Sequence, residues 1–378
     1  MAINTNITYQ AWGEAEAAFN DTTYVSGLAA TNVFDCDRLD LRGSLNRVML
    51  RNRRGTPDQF ENRAGRQTAE WSTSCPWKPS GTLGTIGRNG FLVKAAMGAS
   101  TAPALSTTVA SGASATGATL TSGSGLAVGD CVVVTMPAGH REVTRLKTVA
   151  GAAVTWDALS ATPSVSAAVV SGVNFKQQTA VPDSIYLVKA YVDNTDQEVV
   201  TGAIVDEMVL TFAGDEHVML SLRGPGARYR TAGATIPGST TFLGSPITSF
   251  DGNNYIDGNA FLLRRLVVTY RHNLALRNTE IGVTYASGQF RNDFREIRVE
   301  AEYYFEDTDI ETAAEAVTAT TVRHIAGNVN GSMLGVVIPI VEWERPVSSS
   351  ADNGAVIMTA TGTVKASTGN DAIFLTEA

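Results

Sequence analysis

Between residues 296 and 305 apolar and polar side chains alternate without a break. Ile297, Val299, Ala301, Tyr303 and Phe305 fall on one side, and Glu296, Arg298, Glu300, Glu302 and Tyr304 on the other. A period of two is that of a β-strand, so this stretch predicts a strand with one dry face and one wet, acidic face. Met208, Leu210 and Phe212 alternate with Val209, Thr211 and Ala213 in the same way. Gly214-Asp215-Glu216 then turns the chain, and Val218, Leu220 and Leu222 alternate on the return. That predicts a hairpin.

One arrangement of such strands occurs twice. Residues 45–50 lead into a polar excursion opening Arg51-Asn52-Arg53-Arg54-Gly55, return at 67–75, and meet a helix-like stretch at 91–97. Residues 262–270 lead into a second excursion at 271–292, return at 294–305, and meet a helical pattern at 308–318 with Glu311 and Glu315 on one side. Internal repetition of this kind is the strongest guide to an architecture. Strands at 333–343 and 355–365 close the second half, with Pro339 predicting an edge or a bulge. Another strand is expected at 184–192. Residues 1–40 read as an arm or edge segment with a short helical turn at 14–19.

From about residue 100 to 173 the composition shifts to Ser, Thr, Ala, Gly and Val, with little charge. The turn Gly129-Asp130 followed by a β-branched run at 131–136 predicts a small meander or barrel, inserted into a surface loop where such insertions cost little. The expected organisation is an N-terminal arm at 1–40 and a first domain from 41–99 and 174–230. The insert occupies 100–173, a Gly/Pro/Thr-rich connector 231–260, and a second domain 261–378. On this reading, trimming 100–173 spares whatever the rest assembles into.

The totals are consistent with this picture. A chain of 378 residues with 44% apolar and 17% charged positions can bury a sizeable core, and its 35 glycines suit a turn-rich β-protein. The net charge of −8 disfavours nucleic-acid binding by bulk attraction. The start shows neither a basic nor an apolar leader region, so no signal peptide is expected, and no apolar run reaches the roughly 20 residues that span a bilayer. Cys36, Cys75 and Cys131 are odd in number and widely spaced, and read as small buried hydrophobes in a reducing compartment.

Chemistry is sparse. His140, His217, His272 and His324 show no ligand spacing and read as surface or turn residues. There is no phosphate loop and no nucleophile elbow. The stretch 251–258 places oxygens at alternate positions, but Ile256 and Leu262 stand where a calcium loop needs Gly and Glu, leaving an Asn/Gly turn. Asp206/Glu207 and Asp215/Glu216 read as solvated turn charges. No catalytic residue, metal ligand or cofactor is expected. Charge does divide along the chain. Arg42, Arg47, Arg51, Arg53, Arg54, Arg63 and Arg66 face only Asp58 and Glu61, whereas residues 291–316 carry nine acids against Arg291, Arg295 and Arg298.

With these residues in view, the chain resembles the major tail tube proteins of long, non-contractile-tailed bacteriophages. The resemblance rests on the Arg-rich loop at 51–66, the hairpin at 207–224, the run 262–305 with its helix, and the closing strands. It implies a mainly β chain with two tandem tail-tube-like β-sandwich or barrel domains. Each would carry a short helix, and the insert would be a small immunoglobulin-like or barrel module. It further implies rings, trimeric and pseudo-sixfold, stacked around a channel through which DNA passes during ejection without specific binding. Partners would be further copies of the chain and the terminator, tape measure and tail tip proteins. No membrane is involved, and the protein would be assembled in the host cytoplasm and reside in the virion tail. Arg51, Arg53, Arg54, Arg63, Arg66, Arg271 and Arg277 are then the expected inter-ring or inter-subunit contacts, and Glu296, Glu300 and Glu302 the expected lumen acids. The alternative is another virion β-protein, such as a tail terminator, a baseplate hub or a glycan-binding surface module.

Overall fold

Apolar residues at alternate positions, rich in Val, Ile, Thr and aromatics, make almost every element a strand. The computed structural model describes residues 9–20, 32–50, 61–191, 196–233, 245–305, 309–352 and 355–378. In chain order, β1 (Tyr9–Ala15) and β2 (Val33–Phe34) precede a long hairpin, β3 (Arg38–Leu50) and β4 (Glu61–Pro76). Helix α1 (Gly90–Met97) follows. It stops at Gly98, whose φ of 101° only glycine adopts without strain and whose amide closes on the Lys94 carbonyl. Then come β5 (Gly98–Thr101), β6 (Leu105–Ser114), β7 (Gly117–Leu120), β8 (Cys131–Thr135), β9 (Arg141–Ala150), β10 (Ala153–Trp156), β11 (Ala168–Ser171) and β12 (Val173–Gln177). The first half ends with β13 (Ile185–Tyr191), β14 (Asp196–Ala203), β15 (Glu207–Ala213), β16 (Met219–Gly226) and β17 (Arg228–Gly233).

The second half runs β18 (Asn253–Ile256), β19 (Asn259–Ala260), β20 (Leu263–Arg271), the ribbon β21 (Leu274–Arg277) and β22 (Gly288–Arg291), then β23 (Glu296–Tyr304). It continues through α2 (Asp309–Ala316), β24 (Thr320–Val329), β25 (Ser332–Trp343), β26 (Val347–Asp352), β27 (Ala355–Val364) and β28 (Phe374–Glu377). Asp309 and Glu311 in the first turn of α2 suit the positive end of its dipole, and buried Ile310 anchors it.

Pairing order relates the halves. In the first, strands lie side by side as β3-β4-β16-β15, and in the second as β20-β23-β27-β26. Behind them β2-β1-β13-β14-β17 is matched by β19-β18-β24-β25-β28. The two front sets fuse where β15 pairs antiparallel with β20, from Glu207 opposite Arg271 to Ala213 opposite Arg265. Eight strands thus form one continuous front, with β3 and β26 at its ends. The dry side of this front buries Leu39, Trp71, Leu210, Leu220, Val268 and Val299 in one core with Leu92 and Met97 of α1 and with Ile185, Leu187 and Val200 behind.

Strands β6 to β11 close into a barrel in the order β10-β7-β6-β11-β8-β9, filled by Val109, Leu120, Val132, Val134, Leu146 and Trp156. Its stem, β5 and β12, pairs onto β28 of the second half. Barrel residues Cys131, Val133 and Val143 pack against Ile325, Met333, Val337 and Phe374. At that seam Arg323 Nη1 lies 3.0 Å from Glu142 Oε2, both fully buried. This packing reverses the expectation that the insert is a detachable surface module, because its removal would bare an apolar face and strand a buried charge.

Other expectations also change. Residues 14–19 hold no helical turn: Glu14 and Ala15 end β1, which pairs with β13 on one side and β2 on the other and buries Trp12. The stretch read as a connector contains the end of β17 and all of β18 and β19. Its cation-like loop is a tight turn at Asp257-Gly258, with φ of 49° and 85°, in which Asp257 accepts the Thr321 amide at 2.6 Å. His272 and His324 are buried, not superficial. Burial lowers their pKa to about 4 and about 3, keeping both neutral near pH 7. Pro339 does mark a bulge, since β25 spends an extra residue between its partners for Thr320 and Val322.

Candidate assembly surface

The wet side of the front sheet is ordered by register. Asp40, Ser72, Arg223, Glu207, Arg271 and Glu296 stand opposite one another in a single row across six strands. Cross-strand neighbours of opposite charge attract, and here Glu207 is held between two guanidiniums, Arg223 Nε at 2.8 Å and Arg271 Nη2 at 2.6 Å. Partial burial pushes the Glu207 carboxyl up, but the two arginines outweigh it and its pKa lies below the ordinary value. Arg298 pairs with Glu296 at 2.6 Å, Arg265 with Glu302 at 3.2 Å, and Arg38 with Asp40 at 2.5 Å. All of the row but Glu296 lines a trough of about 930 Å³ formed by β3, β4, β15, β16 and the end of β20.

This arrangement modifies the expectation of an acidic face. Strand β23 taken alone is acidic, but its neighbour β20 supplies Arg265 and Arg271, and the more distant β16 and β3 supply Arg223, Arg38 and Arg42. Of the three expected lumen acids, Glu296 and Glu302 are paired. Glu300 is exposed opposite Val267 and Thr361, and makes no ion pair among the described residues.

The expected arginine contacts are distributed differently. Arg51, Arg53 and Arg54, and the side chain of Arg63, lie outside the described residues. Arg66 donates to the Glu280 carbonyl, tying the first hairpin to the second long loop within one chain. Arg271 is engaged by Glu207 at the β15–β20 joint. Arg277 is exposed at the end of β21. Glu207, read from the sequence as a solvated turn charge, is instead the first residue of β15, held between two arginines. Its neighbour Asp206 accepts the Leu274 amide. Arg223 was passed over. The alternation on β15 and β16 was visible, but only the register puts Glu207 and Arg223 beside Arg271.

The edges carry the other part of the surface. Among the described residues β3 pairs only with β4, and β26 only with β27. Each therefore presents an unpaired row of backbone donors and acceptors, a template for another strand. Val347 on β26 is 68% exposed, a large apolar side chain standing on an open edge.

The fold is thus that of a mainly β protein built on one long sheet with two open ends. The family model for the phage tail tube protein matches residues 8–376, nearly the whole chain, and the chain belongs to that family. It is a structural component of the virion tail, which assembles with itself and with other tail proteins. No curated protein matches it.

Proposed function

We propose that each chain carries two tube domains and that its front sheet is one sector of a closed cylinder. The observation that supports this most directly is the β15–β20 joint. It couples the last strand of one four-strand set to the first strand of the next, and leaves a last strand, β26, and a first strand, β3, free at the ends. Pairing β26 of one chain with β3 of the following chain repeats that joint. Head-to-tail contacts of this kind close into rings, and rings stack into an open tube. With two sets per chain, a trimer is pseudo-sixfold, as in the tubes of long non-contractile phage tails.

In this reading the wet face lines the lumen. Its arginines stand beside carboxylates, which removes most of the counterion-release gain that would hold DNA, so the duplex slides through without specific binding. Rings form in the host cytoplasm on the tape measure and tail tip proteins and are capped by the terminator. Arg51, Arg53 and Arg54, with Arg63 near the start of β4 and Arg277 at the end of β21, make the contacts between rings. Electron microscopy of concentrated protein tests the reading. Rings with threefold or pseudo-sixfold averages, and stacks of them, are expected, and a chain that stays monomeric at every concentration overturns it. Reversing Arg51, Arg53 and Arg54 to Glu should leave rings but abolish stacking.

A further inference from the structure

A second cavity, of about 390 Å³, lies away from the wet face, beneath the second long loop and the segment 366–372. Arg291 and Arg295 line it, together with Gln177, Thr179, Phe294 and Asn370. Each guanidinium is fixed by one nitrogen. Arg291 Nη1 donates to the Thr179 carbonyl at 3.3 Å, and Arg295 Nη1 donates to Asn370 Oδ1 at 3.0 Å. Asn370 Nδ2 in turn donates to Thr179 Oγ1 at 2.7 Å, so the two clamps are linked.

What remains on both arginines is Nε and Nη2, buried and without a hydrogen-bond partner. These two nitrogens form one edge of the guanidinium, the edge that takes two oxygens of a carboxylate or phosphate side by side. Neither arginine makes an ion pair among the described residues, and the nearby acids are turned elsewhere. Asp371 Oδ1 accepts the Ser367 and Thr368 amides at 2.9 and 3.0 Å, Asp293 Oδ1 accepts the Phe294 amide at 2.7 Å, and Glu296 is taken by Arg298. Burial lowers the pKa of Arg295, and the like charge of Arg291 adds to this against an opposing pull from Tyr270. Two half-buried guanidiniums whose Nε and Nη2 atoms are buried without a partner are costly unless an anion joins them.

We propose that the Arg291–Arg295 pocket is an oxyanion-binding site, taking a carboxylate or phosphate group on the two open guanidinium edges. Two sources fit the chemistry: a free anion, or an acidic side chain of a neighbouring copy of this net-acidic chain. Phe294, 87% exposed at the rim, is placed to pack against whatever carries the group.

Calorimetric titration of the dilute full-length chain with inorganic phosphate in low-salt buffer tests this. Saturable binding is expected, weakened tenfold or more by Arg291→Gln and by Arg295→Gln, and weakened also by Arg295→Lys, which keeps the charge and loses the fork. Absence of saturable binding to the folded wild-type chain overturns the proposal, as does binding unchanged in the substituted chains. Sedimentation with and without phosphate then separates the sources. Phosphate that disperses self-associated chains identifies a neighbour's carboxylate as the native ligand, and binding with undisturbed association identifies a free anion. A chain that binds phosphate yet never associates would sink the ring reading and leave this site standing.

Discussion

Substituting Arg323 by Met tests how firmly the barrel is fixed to the second half. The substitution keeps much of the side-chain volume and leaves Glu142, fully buried, without its cation. Glu142 would retain the Ser160 amide at 3.0 Å and His140 Nε2 at 3.2 Å. The pair as such contributes little net stability: burial lowers the Arg323 pKa, and its Nε and Nη2 find no acceptor. Breaking it is a different matter. Stranding one buried charge costs about 3–5 kcal/mol, whereas replacing both members by neutral groups is often nearly neutral. At roughly 2–4 °C per kcal/mol for a domain of 150–250 residues, the single substitution should lower the melting temperature by about 10 °C. The double substitution Arg323→Met with Glu142→Gln should recover most of that. Scanning calorimetry on the four proteins of the cycle reads the coupling directly. A drop below about 2 °C for the single variant, or equal drops for single and double, would refute the clamp.

Three further outcomes follow from the same geometry. Replacing residues 102–172 by a short Gly/Ser link should destabilise or unfold the remainder, because Ile325, Met333, Val337 and Phe374 lose their cover; wild-type melting of the deleted chain would show the barrel to be a passenger. Glu377, buried and accepting the Ser80 and Gly87 amides at 2.8 and 3.0 Å, has its pKa pushed by burial from 4.5 up to about 7. A carboxyl raised in the native state binds more protons there than when unfolded. Its contribution is therefore fully present below about pH 4.5 and declines as pH rises toward about 7, by up to about 3 kcal/mol. The stability difference between wild type and Glu377→Gln should fall across that window, and a flat difference would contradict the assignment. Val347→Lys places a charge on the open β26 edge, and should abolish ring formation in micrographs while leaving circular dichroism and melting unchanged. Rings formed as readily as in the wild type would mean that β26 is not a joining edge.

Much of the architecture is legible in the residues alone, and the reason is local. A strand's side chains alternate and a hairpin's turn is chemically marked, so β15, β16, β20, β23, both helices and the bulge at Pro339 could be placed from short stretches. The Ser/Thr/Gly-rich composition of the barrel likewise announced itself. Residues 14–19 misled because Ala and Glu favour helices, while pairing of β1 between β13 and β2 overrode that propensity.

What the chain could not reveal one segment at a time is which strand lies beside which. The β15–β20 joint, the seating of the barrel on β24 and β25, the balanced charges of the wet face and the paired forks of Arg291 and Arg295 all join residues distant in sequence. Alternation determines which side of a strand is dry, and so the mainly β character of this protein was settled by its sequence. Register and pairing order depend on the competition among all strands at once. Only the tertiary structure therefore decided which charges meet, which remain open, and which edges are left for a neighbour.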